Sequence, residues 1–174
     1  YDMGSSNYKY ELIDNKLSHT ITGYKKDGVP CKSATFDSET GVIKMGLNAS
    51  TEFEHPRENN ETWPAFLLSQ SKTNLTALKL DQYSSLIVDV NYLVNKCENR
   101  MNDVEFNSSL HSAQLVLFLT VQNRTIGHPD YGKYVWFGFN LFDYRYSGKV
   151  FPRGTQLDKG TGRMIYKTSS EDTM

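Results

Sequence analysis

Three stretches of this chain alternate between apolar and polar positions with a period of two. In 86–95, one side carries Leu86, Val88, Val90, Tyr92 and Val94, and the other Ile87, Asp89, Asn91, Leu93 and Asn95. In 113–122 the apolar side is Ala113, Leu115, Leu117, Leu119 and Val121, opposed by Gln114, Val116, Phe118, Thr120 and Gln122. In 135–144 it is Val135, Phe137, Phe139 and Leu141, opposed by Trp136, Gly138, Asn140, Phe142 and Tyr144. Successive side chains of a strand point to opposite faces, so each stretch predicts a strand with one greasy and one mixed side. Four large side chains per strand, at roughly 1.5–3 kcal/mol each on burial, are enough to hold register against a second layer.

Turn signals separate the remaining segments. They are Lys26-Asp27-Gly28-Val29-Pro30, Asp37-Ser38-Glu39-Thr40-Gly41, His55-Pro56-Arg57, His128-Pro129-Asp130-Tyr131-Gly132 and Lys159-Gly160-Thr161-Gly162. Residues 34–36 and 42–47, joined across Ser38-Glu39-Thr40-Gly41, predict an early hairpin. Residues 73–82 suit a short helix or a strand equally, and Trp63 is expected to plug a sheet edge. The rhythm predicts an all-β fold, a two-sheet antiparallel β-sandwich of jelly-roll or lectin-like type, as a single domain over 1–174 with loose polar ends at 1–7 and 169–174.

Composition narrows the function classes. With 19 Lys+Arg against 20 Asp+Glu, the net charge of -1 excludes a nucleic-acid polycation, and no apolar run nears the roughly 20 residues of a membrane-spanning helix. The chain begins at Tyr1, which suits a product that has lost a signal peptide. Five Asn-x-Ser/Thr triplets, at Asn48, Asn60, Asn74, Asn107 and Asn123, exceed the roughly two that chance predicts. Secretion is the expectation, with the chain part of a larger multidomain protein. Cys31 and Cys97 are the only thiols; they are too few for a disulfide framework and wrongly spaced for zinc, which leaves one long-range disulfide or two idle thiols.

The 11 Tyr, 9 Phe and 2 Trp give the mixed side of the three strands its character. An ordinary solvent face is written in Lys, Glu, Thr and Ser; this one offers amides, an acid and rings. A pyranose presents an apolar C–H face that stacks on an aromatic ring, and a hydroxyl rim that pairs with planar amides and carboxylates. The expected ligand-binding residues are Trp136, Asn140, Tyr144, Gln114, Asp89 and Asn91, joined by Tyr131 and Arg145 from the flanking loops, with Gly138 letting a ligand approach the backbone. Arg145 either clamps a carboxylate such as a uronate or contacts Asp143.

Catalytic signatures are thin. The i, i+2 acidic pairs Asp103/Glu105 and Glu52/Glu54 sit in loop-like or edge-like surroundings, unlike the facing carboxylates of a glycosidase. His111, Tyr131 and Arg145 supply the residue types of a polysaccharide lyase without a supporting pattern. No serine-nucleophile, phosphate-loop or zinc motif occurs. No cofactor is expected, although an Asp-bearing loop leaves room for a structural calcium ion.

The segments Trp63-Pro64-Ala65-Phe66-Leu67-Leu68-Ser69-Gln70, Tyr134-Val135-Trp136-Phe137-Gly138 and Asp143-Tyr144-Arg145 resemble lectin-like, concanavalin-type β-sandwich domains of secreted bacterial polysaccharide-acting proteins. The resemblance spans about the middle half of the chain. It implies a fold and a milieu, and hardly a reaction, because the closely spaced acidic motif of the jelly-roll hydrolases and the ordered Arg/Gln–His/Tyr series of the alginate-lyase type are both missing. The expectation is non-catalytic binding of a polysaccharide or oligosaccharide. The alternatives are a lyase or hydrolase on the same fold, and an adhesion or assembly module whose aromatic face meets another protein.

Overall fold

The computed structural model describes residues 9–14, 17–24, 28–69, 79–146, 151–158 and 161–169. The expected loose end at 1–7 lies outside them, as do residues 170–174 of the one expected at 169–174, whose Ser169 is strand; Asn74 and most of the 73–82 segment lie outside too, and Leu80–Gln82 forms a 3-10 turn. The fold is all-β. The chain divides into two compact units, 1–73 and 74–174, each carrying one four-stranded sheet.

The first unit is a meander of β1 (Lys9–Asp14), β2 (Ser18–Tyr24), β3 (Pro30–Asp37) and β4 (Ile43–Leu47), each antiparallel to the next. The β3–β4 hairpin stands where the sequence puts it, with Phe36 opposite Ile43. Its turn follows from side-chain chemistry: Asp37 Oδ1 accepts the backbone N–H of Glu39 at 3.0 Å and of Thr40 at 2.9 Å, and Gly41 takes φ +70°, which costs glycine nothing. Thr20 and Thr35, opposite each other on β2 and β3, share a hydroxyl hydrogen bond at 2.9 Å. Burial concentrates on β3, at Cys31, Lys32 and Ala34.

The second unit holds β5 (Gln114–Gln122), β6 (Tyr134–Asp143), β7 (Gly154–Asp158) and β8 (Arg163–Ser169) in the order β5-β6-β8-β7. Two of the three long alternating stretches therefore form strands. The wholly antiparallel expectation needs correction here: β6 and β8 run parallel, because the β7–β8 hairpin enters the sheet with β8 inside. The 86–95 stretch also departs from expectation, being neither strand nor helix. Its alternation is that of an amphipathic extended segment, but alternation alone does not supply the neighbouring strand that makes a ladder. Ile87 and Leu93 are left 86% and 79% exposed.

One irregularity of the second sheet decides where the polar groups go. Leu115 pairs with Phe142 while Val116 pairs with Asn140, so Leu141 is an extra residue in β6. Such a bulge reverses the facing of every residue beyond it. Phe142 joins the greasy side of Leu115, and Asp143 joins the side of Gln114.

Candidate functional site

The mixed face of the second sheet is built from Val116, Phe118 and Thr120 on β5, Trp136, Gly138 and Asn140 on β6, and Ile165 and Lys167 on β8, which the register sets level with one another. At the β6 start, three rings meet: Trp136 lies 5.8 Å from Phe118 and 5.4 Å from Tyr134 between centroids, and the Arg163 guanidinium sits 4.8 Å from the Tyr134 ring. Trp136 and Tyr134 are half-buried and Phe118 is exposed, so the group is a platform with open ring area.

At the far end of β6 lies a polar corner. Asp143, 2% exposed, accepts Gln114 Nε2 at 2.6 Å, Arg145 N at 3.0 Å, and the Arg145 guanidinium in a two-pronged pairing at 2.9 and 2.6 Å. Burial pushes the Asp143 carboxyl upward, but the hydrogen bonds from Arg145 and Gln114 outweigh it and hold the group below the usual carboxylate range. The same pairing raises Arg145. Lys167 is held below the ordinary lysine range by burial first and by the Arg145 charge second, with Asp143 acting against both. Beside this corner Phe106 meets Tyr144 edge to face at 6.1 Å and His111 at 6.1 Å. Platform and corner are separated by seven residues of β6, roughly 20 Å of strand.

The structure thus gathers Trp136 at one end, and Gln114, Tyr144, Arg145 and His111 at the other. It treats four other expected ligand residues differently. Asn140 is 4% exposed on the mixed face. Asp89 and Asn91 are exposed on the irregular 86–95 segment. Tyr131 is exposed in the β5–β6 loop, which Gly132 N to Asn123 O at 2.8 Å and Asn123 N to Lys133 O at 2.9 Å close at the platform end. The groups named for a lyase are therefore split, with Tyr131 at one end of β6 and His111 and Arg145 at the other. Asn107 N donates to His111 Nδ1 at 2.9 Å, so that nitrogen is an acceptor.

Two local expectations are overturned. Gly138 does not open the backbone to a ligand: the Phe118 ring covers it, and a Cβ there would lie 2.8 Å from Phe118 Cε1. Trp63 plugs no edge; it is 51% exposed, with the Arg57 guanidinium 3.9 Å from its ring. The Asp143–Arg145 contact was one of two alternatives the sequence offered for Arg145, but the Gln114 partner and the burial of Asp143 were missed, because simple alternation puts Asp143 on the greasy side.

Neither cysteine is in a disulfide. Cys31 lines a shallow recess of about 240 Å³ in the first unit with Pro30, Lys32, Ser33 and Gly46, and donates to Gly23 O at 3.3 Å. Burial and then Glu52 push its thiol upward, against the character of a nucleophile. Among the described residues no group of three His, Cys, Asp or Glu side chains is arranged to hold a metal ion, and no helix is long and apolar enough to cross a membrane. No family model, curated protein or solved structure matches the chain.

Proposed function

We propose that the protein binds a carbohydrate without transforming it, through the mixed face of the second sheet. The observation that carries this reading is the pairing of a part-open Tyr134–Trp136–Phe118 platform near one end of the β5–β6 pair with the Gln114 amide and the Arg145 guanidinium, both held by the buried Asp143, at the other end. Rings supply stacking for the C–H face of a sugar, and the planar polar groups supply paired hydrogen bonds for its rim. A span of roughly 20 Å suits an oligosaccharide or polysaccharide better than a single sugar ring. Arg145 is already paired, so the corner recognises hydroxyls first and a sugar carboxylate second.

The finer fold belongs to the same proposal: a lectin-like or jelly-roll sandwich, whose ingredients are two four-stranded sheets with apolar side chains to cover. So does secretion, for which the exposed placement of Asn48, Asn60 and Asn107 outside the strands is support. The splitting of His111 and Arg145 from Tyr131 favours binding over lyase chemistry.

The test is incubation with neutral and uronate-containing polysaccharides, following binding and the release of reducing or unsaturated ends together. Binding without turnover is expected. Turnover that disappears in His111→Ala would replace the binding module by an enzyme; no binding to any glycan, with concentration-dependent self-association, would replace it by an assembly module.

A further inference from the structure

The 86–95 segment and the outer edge of β5 have complementary features. Among the described residues β5 ends its sheet with β6 as its one neighbouring strand, and its nine residues contain no charge and no proline. Proteins ordinarily blunt such an edge with lysine, proline or a cover, because its backbone groups are a template for another strand. The 86–95 segment belongs to the same unit, has nearly the length of β5, and leaves Val88 and Val90 exposed. Residues 96–113 join its end to the beginning of β5, ample chain for an antiparallel return.

The pattern also fixes the parity of the register, and level ends choose among the registers that share it. Apolar sides coincide only when even-numbered residues of the segment oppose odd-numbered residues of β5. With Asn95 level with Gln114, Val90 meets Leu119 and Val88 meets Val121 on the greasy side. Asp89 and Asn91 then fall opposite Thr120 and Phe118, and Thr120 is the register partner of Trp136.

We infer that the 86–95 segment is a strap that closes onto the edge of β5 of its own chain as a fifth, antiparallel strand, carrying Asp89 and Asn91 to the ring platform. The inference rests on the carbohydrate reading for the purpose of closure, and on the segment and edge themselves for its geometry. Closure supplies the platform with a carboxylate, and with a second amide beside that of Gln122, which is level with Tyr134. It also lays the exposed Val88 and Val90 beside Val121 and Leu119 and gives the open edge its partner.

The test uses the full chain with Cys31 and Cys97 replaced by Ser and a cysteine pair introduced by Val90→Cys and Leu119→Cys. Mild oxidation is expected to give a cross-linked monomer, while Asn91→Cys with Leu119→Cys, which faces opposite sides, gives far less. Cross-linked dimers alone would show that the edge takes the strand of a second copy; no cross-link in either pair would remove the strap. Hydrogen exchange of the wild-type protein is a second readout: alternate amides of 86–95 protected at least tenfold over those of 80–85 agree with closure, and uniform fast exchange contradicts it. Glycan binding is scored separately on the wild type. Binding without a cross-link rejects the strap and keeps the binding face; a cross-link without binding does the reverse.

Discussion

Lys32 is 3% exposed, and its ammonium is matched by Glu52 Oε1 at 2.9 Å. Removing one partner of a buried pair strands the other charge, whereas replacing both by apolar groups of like volume is close to neutral. Glu52→Ala is therefore expected to cost about 3 kcal/mol in urea unfolding, and Lys32→Met with Glu52→Leu to recover most of it; a neutral Glu52→Ala would show that the pair is solvated. Asp143 obeys a different logic, because its depressed titration links stability to pH. A carboxyl lowered in the folded state contributes fully above its unfolded value, about 4, and that contribution is lost as pH falls through the lower folded value. The melting temperature of the wild type should thus fall below about pH 4 more steeply than that of Asp143→Asn. Parallel acid limbs for the two proteins would assign the pairing no role in stability.

At the scale of the element, the β3–β4 hairpin was legible because Asp37 and Gly41 impose their turn locally. β5 and β6 were legible because their alternation runs nine and ten residues. The bulge at Leu141 was not, since nothing in Phe139-Asn140-Leu141-Phe142 marks an extra residue, yet it alone brings Asp143 to Gln114. The exchange between Gly138 and Phe118 was half-legible: a glycine in a strand signals a close approach, but the approaching group is a protein ring and not a ligand. Gly138→Ala is expected to push Phe118 off its place, to cost about 1–3 kcal/mol, and to change the Trp136 fluorescence through the disturbed ring contact. An unchanged spectrum and melting temperature would mean that Phe118 yields freely and that the platform is not held by this packing.

For the whole molecule, the all-β class followed from alternation and turn spacing, whereas pairing between distant strands did not. The parallel β6–β8 contact joins residues far apart in sequence, and no local pattern records it. The 86–95 segment marks the same boundary from the other side: its amphipathic pattern is plain, and its partner is a matter of tertiary structure. What remains is a chain with one surface of rings and planar polar groups, and the binding proposal stands on that surface. The most direct measurement is titration calorimetry of wild type and Trp136→Ala with the best-binding glycan of the screen, below the melting temperature of the variant. Loss of the stacking ring should weaken affinity about tenfold, equivalent to about 1.4 kcal/mol, while circular dichroism keeps its strand signature. Unaltered affinity in a folded Trp136→Ala protein would contradict the account.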